Sequence, residues 1–215
     1  YQEVAKLLKE ASPGREIGLA INEWGLDLTT QQQYSILSAL YGARLLNVFE
    51  RSSGLVSMSA VSDLVNGWPG GIIQASRDEV FVSPLYLVTQ LYAEARGSEL
   101  LSCEARSPTF DSSREGKAIP YLDVVASRSA DGKQIFIKAV NSNLKESLST
   151  TITINGTRVG PRVLVASISS GLEAFNSFST PNAVQIRRSR NAAKSNLVIN
   201  LPARSVSVFT LTLIR

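Results

Sequence analysis

The sequence predicts an α/β segment followed by an antiparallel β-sandwich, and three observations support this fold class. Residues 1–97 alternate between helical and strand-like patterns of apolar residues. After about residue 98 the pattern changes to short runs in which apolar and polar residues alternate. Turn sequences rich in Gly, Asn, Asp and Pro separate these runs, as is typical of a sandwich. We therefore predict two domains, residues 1–97 and residues 98–215.

The first predicted element is an amphipathic helix at the start of the chain. Its apolar residues recur at helical spacing from Val4 to Leu8, and Pro13-Gly14 follow its end. The helix is already in progress at Tyr1, so we expect the chain to be the C-terminal part of something longer. In the next run, "EIGLAI" at 16–21, the residues after Glu16 are continuously apolar, which predicts a parallel strand covered on both faces.

The remaining elements of the first part continue this alternation. Residues 29–54 predict a long helix, with Thr29 or Thr30 as its N-cap and Gly54 at its C-terminal end. A strand ("LVSMSA"), a hairpin over 70–82 and a helix that begins at Ser83-Pro84 follow in turn. Two strands cannot close a parallel sheet. The other strands are therefore expected upstream or in a partner chain.

The second part predicts a series of short antiparallel strands. They are the runs "ELLSCEAR", "YLDVVASRS", "KQIFIKAVN", "STTITING", "RVLVASIS", "NLVINL" and "SVSVFTLTLIR". Asp131-Gly132 and Asn155-Gly156 are turn sequences between these runs. Asn155 also begins an N-glycosylation sequon, but we interpret Asn155-Gly156 as a hairpin turn.

The composition excludes several classes of function. The chain has no histidine and one cysteine, Cys103, so it contains no Ser-His-Asp triad, no zinc-hydrolase site and no internal disulfide. Acid–base chemistry would have to come from Asp, Glu, Lys or Tyr. The formal net charge is +4, but the basic residues are scattered apart from "RRSR" at 187–190, so we expect no nucleic-acid partner. No apolar run is long enough to span a membrane. Secretion and a cytoplasmic location both fit the sequence.

The candidate catalytic residue is Glu23, which stands between Asn22 and Trp24 in "GLAINEWGLD". In β/α barrels, active sites lie at the C-terminal ends of the strands. A carboxylate beside an aromatic ring suits sugar chemistry. The carboxylate could belong to the pair of carboxyl groups, about 5–5.5 Å apart, that retaining glycosidases use, and an indole ring commonly packs against a sugar. The alternative interpretation is that Glu23 caps a helix or pairs with an arginine, while Trp24 belongs to the core.

A second group of polar residues follows the next predicted strand. Asp63, Asn66 and Trp68 in "SDLVNGWPGG" are expected at the same edge of the sheet as Glu23. The alternative is that Asn66-Gly67 forms a turn and Trp68 packs beneath the hairpin. Asp63 and Glu23 also qualify as a pair of carboxylates, although we do not favour that interpretation.

The order of several motifs resembles the α-L-arabinofuranosidases of glycoside hydrolase family 51. The resemblance extends over essentially the whole chain, and its motifs are "INEWG", "ALYGARLLNVFER", "VSMSAVSDLVN", "SPLYLVTQLYAEARG", "AIPYLDVVASRS" and "EAFNSFSTPNAV". It implies the C-terminal part of a (β/α)8 TIM barrel, containing the last two strands, followed by the family's antiparallel β-sandwich.

The resemblance also implies roles for particular residues. Glu23 matches the nucleophile of a D-E-W-type motif in these retaining enzymes, Trp24 is implied to shape its substrate pocket, and Asp63 stands where the family has a sugar-contacting residue. From their positions we also expect Asn22 and Trp68 to bind substrate. The family's acid/base Glu has no counterpart in this chain, so an upstream segment or companion chain would supply it. The chain departs from the family pattern at three positions. Where the family commonly has D-E-W-N, this chain has Asn22 at the first position and Gly25 at the last. Asp63 stands where Gln is common.

Two hypotheses of function follow. The first is an exo-acting retaining glycosidase that releases terminal α-L-arabinofuranosyl residues from arabinoxylan, arabinan or related oligosaccharides, with another furanoside or β-glucan as an alternative substrate. It needs no metal or other cofactor, and this chain alone would be inactive. The second is an inert carbohydrate-binding or structural β-sandwich fragment. The uncovered edges of two barrel strands also favour association, including a homo-oligomer.

Overall fold

The first part of the chain is an α/β segment, as predicted. The computed structural model describes residues 1–26, 29–67, 71–114, 116–193 and 196–214. The elements in chain order are helix α1 (Gln2–Ala11), strand β1 (Leu19–Trp24), helices α2 (Thr30–Gln33) and α3 (Ile36–Arg51), strands β2 (Val56–Val61), β3 (Ile73–Ala75) and β4 (Val80–Val82), and helix α4 (Pro84–Glu94). Strands β1 and β2 pair in parallel, with α3 between them in the chain. None of the described helices has the length and apolar character that a membrane span requires.

The long helix predicted over 29–54 is two helices in the structure. Thr29 forms a capping box with Gln32 at the start of α2, which confirms Thr29 as an N-cap. The side chain of Ser35 then caps α3 by accepting from the backbone N–H of Leu37 at 3.3 Å. The predicted end at Gly54 is wrong, because α3 ends at Arg51 and its C-cap is Ser52, which has a negative φ of −97°. There, the carbonyl of Ser52 accepts hydrogen bonds from the chain that leads into β2.

The second part is an antiparallel sandwich, as predicted. Its strands are β5 (Glu99–Leu101), β6 (Thr109–Ser112), β7 (Gly116–Pro120), β8 (Leu122–Arg128), β9 (Gln134–Asn141), β10 (Leu148–Thr153), β11 (Arg158–Ser169), β12 (Arg187–Ala192), β13 (Asn196–Leu201) and β14 (Ser205–Ile214). A six-stranded sheet has the order β12-β11-β14-β9-β8-β5, and β10 pairs with β13 in a second sheet. Every described pairing in the two sheets is antiparallel.

The prediction of a hairpin at Asn155-Gly156 is wrong, although the turn itself exists. Gly156 adopts a φ of 77°, a left-handed conformation that glycine tolerates best. However, β10 before the turn pairs with β13, whereas β11 after it pairs with β12 and β14. The turn therefore carries the chain from one sheet to the other. The basic run at 187–190 lies in β12, an exposed edge strand.

The six-stranded sheet is covered on both faces. One face packs against α3 and α4, and the apolar residues there include Ala43, Leu91, Phe136, Val140 and Val208. The other face packs against β10 and β13 in a cluster that includes Ile135, Ile137, Leu148, Leu197 and Phe209. Seven of the eight residues of β9 are buried for this reason. Helices from the first part thus share a hydrophobic core with the sheet of the second part.

Charged and polar residues link α3 to the sheet. Lys138 on β9 is 1% exposed and forms an ion pair with Glu50 on α3. Its ammonium lies 4.8 Å from the centre of the Tyr92 ring, and the hydroxyl of Tyr92 donates to Asn47 at 2.6 Å. Asp123, at the start of β8, accepts hydrogen bonds from α3, from Asn47 Nδ2 at 3.2 Å and from an Arg51 guanidinium nitrogen at 2.7 Å. Asp123 therefore ties the start of β8 to α3.

Replacing Gly97 with Ala is expected to destabilise the protein by about 1–3 kcal/mol, because the new methyl group would overpack a tight contact. A Cβ at Gly97 would lie 2.3 Å from Cβ of Ser127 on β8. Urea unfolding of the purified protein measures the change. Gly54→Ala is the matched control, since among the described residues no atom beyond Gly54 and its chain neighbours lies within 4 Å of the added Cβ. Equal stability of the two variants would contradict the predicted contact.

Candidate active site

Strands β1 and β2 bring Glu23 close to the residues that follow β2. Parallel strands end at the same edge of their sheet, and here Trp24 pairs with Val61. The backbone N–H of Ser62 donates to the carbonyl of Trp24 at 2.8 Å, which extends this pairing by one bond. The predicted strand ended at Ile21, whereas β1 continues to Trp24. Glu23 is therefore the penultimate residue of the strand.

An irregularity in the strand pairing places Ile21 and Trp24, three residues apart, on the same face of β1. The register between β1 and β2 shifts between Ile21 and Trp24. Ile21 and Trp24 consequently pack in the same apolar cluster, while Asn22 and Glu23 are exposed. The irregularity thus places the carboxylate of Glu23 outside the core that lies beneath the strand.

Trp24 is a core residue in the described part of the chain. Its side chain is 9% exposed, and its ring contacts Phe49 of α3 edge to face, with ring centres 5.9 Å apart. This contact fixes the end of β1 against α3. A contact between Trp24 and a sugar, which the resemblance implied, stays a prediction.

Ser62 connects the two carboxylates of the site. Its hydroxyl donates to Oε1 of Glu23 at 2.9 Å and lies 3.4 Å from Oδ2 of Asp63. Within the described residues, neither carboxylate belongs to an ion pair. Thr29 supplies the cap of α2. The alternative interpretation of Glu23 as a helix cap or arginine partner therefore finds no support in this part of the chain.

The backbone at Asp63 is held in an uncommon conformation. Its φ is 55°, in the left-handed region, which Asp tolerates better than most residues. The Asp63 carbonyl accepts from the N–H of Ile72 at 3.1 Å. Gly67 lies so close that a Cβ there would be 2.4 Å from Oδ1 of Asp63. Strained residues of this kind cluster at functional sites. The loop therefore presents Asp63 as an exposed carboxylate beside Ser62.

Asn66 has a structural role in the same loop. Its Nδ2 donates to the carbonyl of Ala75 at 2.7 Å, and its Oδ1 accepts from the N–H of Ala75 at 2.7 Å. These bonds tie the loop to strand β3, which agrees with the turn interpretation of Asn66-Gly67. Trp68, predicted to contact substrate, lies outside the described residues.

The arrangement suits nucleophilic chemistry by a carboxylate. Glu23 is exposed and hydrogen-bonded on one oxygen, and a second acid stands on the neighbouring strand end. The sequence patterns did not identify Ser62. A serine after a strand is a weak signal by itself, and its contact with Glu23 joins residues 39 positions apart.

Comparisons with known proteins agree with this architecture. A family model described as the α-L-arabinofuranosidase C-terminal domain matches residues 22–205. An intracellular exo-α-L-arabinofuranosidase of Bacteroides ovatus is 24% identical over 207 residues, covering 89% of this chain and 39% of the relative. α-L-Arabinofuranosidase 1 of Arabidopsis thaliana is 29% identical over 188 residues, covering 82% of this chain and 26% of the relative.

Solved structures show the same fold. The α-L-arabinofuranosidase of Thermotoga maritima, solved as an arabinose complex, superposes with a TM-score of 0.87 at 23% identity, covering 99% of this chain and 47% of that one. The family 51 enzyme of Thermotoga petrophila gives a TM-score of 0.84 at 23% identity, covering 97% of this chain and 46% of that one. The chain spans less than half the length of these relatives. It belongs to the α-L-arabinofuranosidase C-terminal domain family, and it corresponds to the C-terminal portion of glycoside hydrolase family 51 arabinofuranosidases.

Proposed function

We propose that this chain supplies the nucleophile half of a retaining α-L-arabinofuranosidase, with Glu23 as the nucleophile. The observation that supports this most directly is the exposed Glu23 carboxylate at the end of a parallel strand, in a chain of this family. Carboxyl ends of barrel strands are where such enzymes place catalytic residues. We also propose the division into a barrel segment, residues 1–97, and a sandwich, residues 98–215.

The reaction proceeds in two steps. A carboxylate oxygen of Glu23 attacks the anomeric carbon of a terminal arabinofuranosyl residue, and the bond to the leaving oxygen breaks as a general acid protonates that oxygen. Water then attacks the glycosyl–enzyme ester, loses a proton to the same acid/base residue and releases arabinose with retained configuration. The acid/base carboxyl comes from a barrel segment outside residues 1–215, on the same polypeptide or on a companion chain.

Substrate contacts are proposed for the exposed polar residues at this edge. Asn22 and Asp63 flank the Glu23 carboxylate in the chain or in space. We also propose substrate contacts for Trp24, which is 9% exposed, and for Trp68, which lies outside the described residues. The substrate is an arabinose-containing oligo- or polysaccharide. Asp63 also supports the alternative of another furanoside or a β-glucan, because it places a carboxylate where the family pattern commonly has a Gln.

Covalent labelling of the complete enzyme tests this proposal. The complete enzyme is the polypeptide or complex in which residues 1–215 occur with the acid/base segment. An aryl 2-deoxy-2-fluoro-α-L-arabinofuranoside has a good leaving group but a slowed second step, so the glycosyl–enzyme should accumulate. We expect the added mass on the peptide containing Glu23, and NMR should show the α-anomer as the first product of an unmodified substrate.

Other results would contradict specific parts of the proposal. Label on another residue would overturn Glu23 as the nucleophile, and a first product with inverted configuration would overturn the retaining mechanism. Turnover of other aryl glycosides but not of arabinofuranosides would favour the alternative specificity. A complete protein that turns over no glycoside but binds polysaccharide would favour the inert binding module.

A further inference from the structure

We propose that Ser62 is a positioning residue that holds Oε1 of Glu23, so that Oε2 is the oxygen that attacks the anomeric carbon. The inference rests on the proposed function of Glu23 as a nucleophile. Its basis is the hydrogen bond from the Ser62 hydroxyl to Oε1, at 2.9 Å. Among the described residues, Oε1 thus has a fixed hydrogen-bond partner, and we assign Oε2 to the substrate.

Ser62 is well placed to orient this carboxylate because it is anchored to the same strand. Its N–H donates to the carbonyl of Trp24, the residue after Glu23, at 2.8 Å. Two bonds therefore run from Ser62 to adjacent residues of β1, one from the backbone and one from the side chain. A catalytic group needs such support, since errors of a few tenths of an ångström in its position reduce its effect.

The second carboxylate competes weakly for the same proton. A serine hydroxyl has one proton to donate, and Asp63 Oδ2 lies 3.4 Å from the Ser62 oxygen, against 2.9 Å for Oε1 of Glu23. The shorter contact is within the usual range for O–H···O bonds and the longer one is beyond it. The proton is therefore donated to Glu23, and we assign Asp63 to accept from substrate.

The bond serves both steps of the reaction. When Oε2 forms the ester with the sugar, Oε1 becomes the carbonyl oxygen and can still accept from Ser62. When the ester is hydrolysed, negative charge returns to the carboxylate, and the same donor stabilises it. Because Ser62 acts on the nucleophile, its loss should lower kcat more than it raises KM.

The test compares two substitutions of equal size in the complete enzyme. Ser62→Thr keeps a hydroxyl and Ser62→Val lacks one, while both add similar volume. We expect Ser62→Val to lower kcat about tenfold with KM changed less than about twofold, and Ser62→Thr to stay within about threefold of the parent enzyme. Labelling of Glu23 by the fluorinated substrate should slow in the same ratio. Ser62→Ala removes the hydroxyl without adding volume, and its kcat is compared with that of the parent enzyme. Ser59→Ala, on β2, is the control, and its kcat is expected to equal that of the parent enzyme.

The outcomes separate this inference from the proposed function. Equal kcat for Ser62→Val and Ser62→Thr, with Glu23→Gln inactive, would overturn the positioning role and leave the nucleophile assignment intact. A rise in KM at constant kcat in Ser62→Val would also overturn it, because Ser62 would then contact substrate. Activity in Glu23→Gln would overturn the proposed function itself.

Discussion

Glu23→Gln is expected to lower kcat of the complete enzyme by about 10⁴-fold or more, the scale seen when a nucleophile is removed. The amide has the shape of the carboxylate but cannot form the glycosyl ester. Because Glu23 is exposed and lies outside the ion pairs of the described residues, the substitution should leave the stability of the protein within about 0.5 kcal/mol. Initial rates with an aryl α-L-arabinofuranoside measure the loss.

Two further variants make this result specific. Glu16→Gln is the matched control, an identical change at an exposed residue before β1, and it should keep full activity. Glu23→Ala should regain turnover with added azide, which can occupy the vacated space and attack the anomeric carbon. Its product would be the glycosyl azide of inverted configuration. A Glu23→Ala enzyme that still releases arabinose at the parent rate would overturn the assignment.

Glu50→Leu is expected to reduce the free energy of unfolding by about 2–4 kcal/mol. The substitution leaves the ammonium of Lys138, which is 1% exposed, without its opposite charge. The expected loss in the free energy of unfolding is smaller than for a fully buried ion pair, because the Glu50 side chain is 30% exposed. Urea unfolding of the purified protein at neutral pH measures the loss.

A double variant separates the charge effect from the loss of packing. Glu50→Leu with Lys138→Met removes both charges, and we expect its stability to return to within about 1 kcal/mol of the parent protein. Glu94→Leu is the matched control, since it breaks the exposed Glu94–Arg188 pair and should cost less than about 1 kcal/mol. A double variant as unstable as Glu50→Leu would contradict the role of the unpaired charge.

The same cluster predicts the alkaline pH dependence of stability. Burial lowers the pKa of Lys138 from its ordinary value of 10.5, and Glu50 opposes this shift. Between the lowered native pKa and 10.5 the unfolded state binds more protons, so stability should rise with pH across that interval. Burial, together with Glu50 and Asp123, raises the pKa of Tyr92 well above 10.0, against the opposing effect of Arg51. Above pH 10 the native state therefore keeps the Tyr92 proton that the unfolded state loses, and the contribution of Tyr92 to stability should fall as the pH rises. Lys138→Met should lose the rise and keep the fall.

Local signals predicted most of the secondary structure. Ser83 and Pro84 begin α4 as expected, because a serine cap and a proline in the first turn act within one helical turn. The hairpin of β3 and β4 was likewise predicted, since its two short apolar runs flank a polar turn. The prediction of one continuous helix over 29–54 is wrong at Tyr34-Ser35, which lie between α2 and α3. There, a second N-cap residue, Ser35, begins a new helix although the helical spacing of the apolar residues continues without a break.

Local patterns in the sequence predicted the alternation of helices and strands in the first part, the change to an antiparallel sandwich and the acid near the end of β1, because these features depend on residues near one another in the chain. The tertiary structure alone decided that β10 pairs with β13, that a register shift turns Trp24 into the core, and that Ser62 meets Glu23. It also decided that Lys138 meets Glu50, 88 positions away. Such contacts depend on strand register and layer packing, and a one-residue change of register reverses the face of every side chain in a strand.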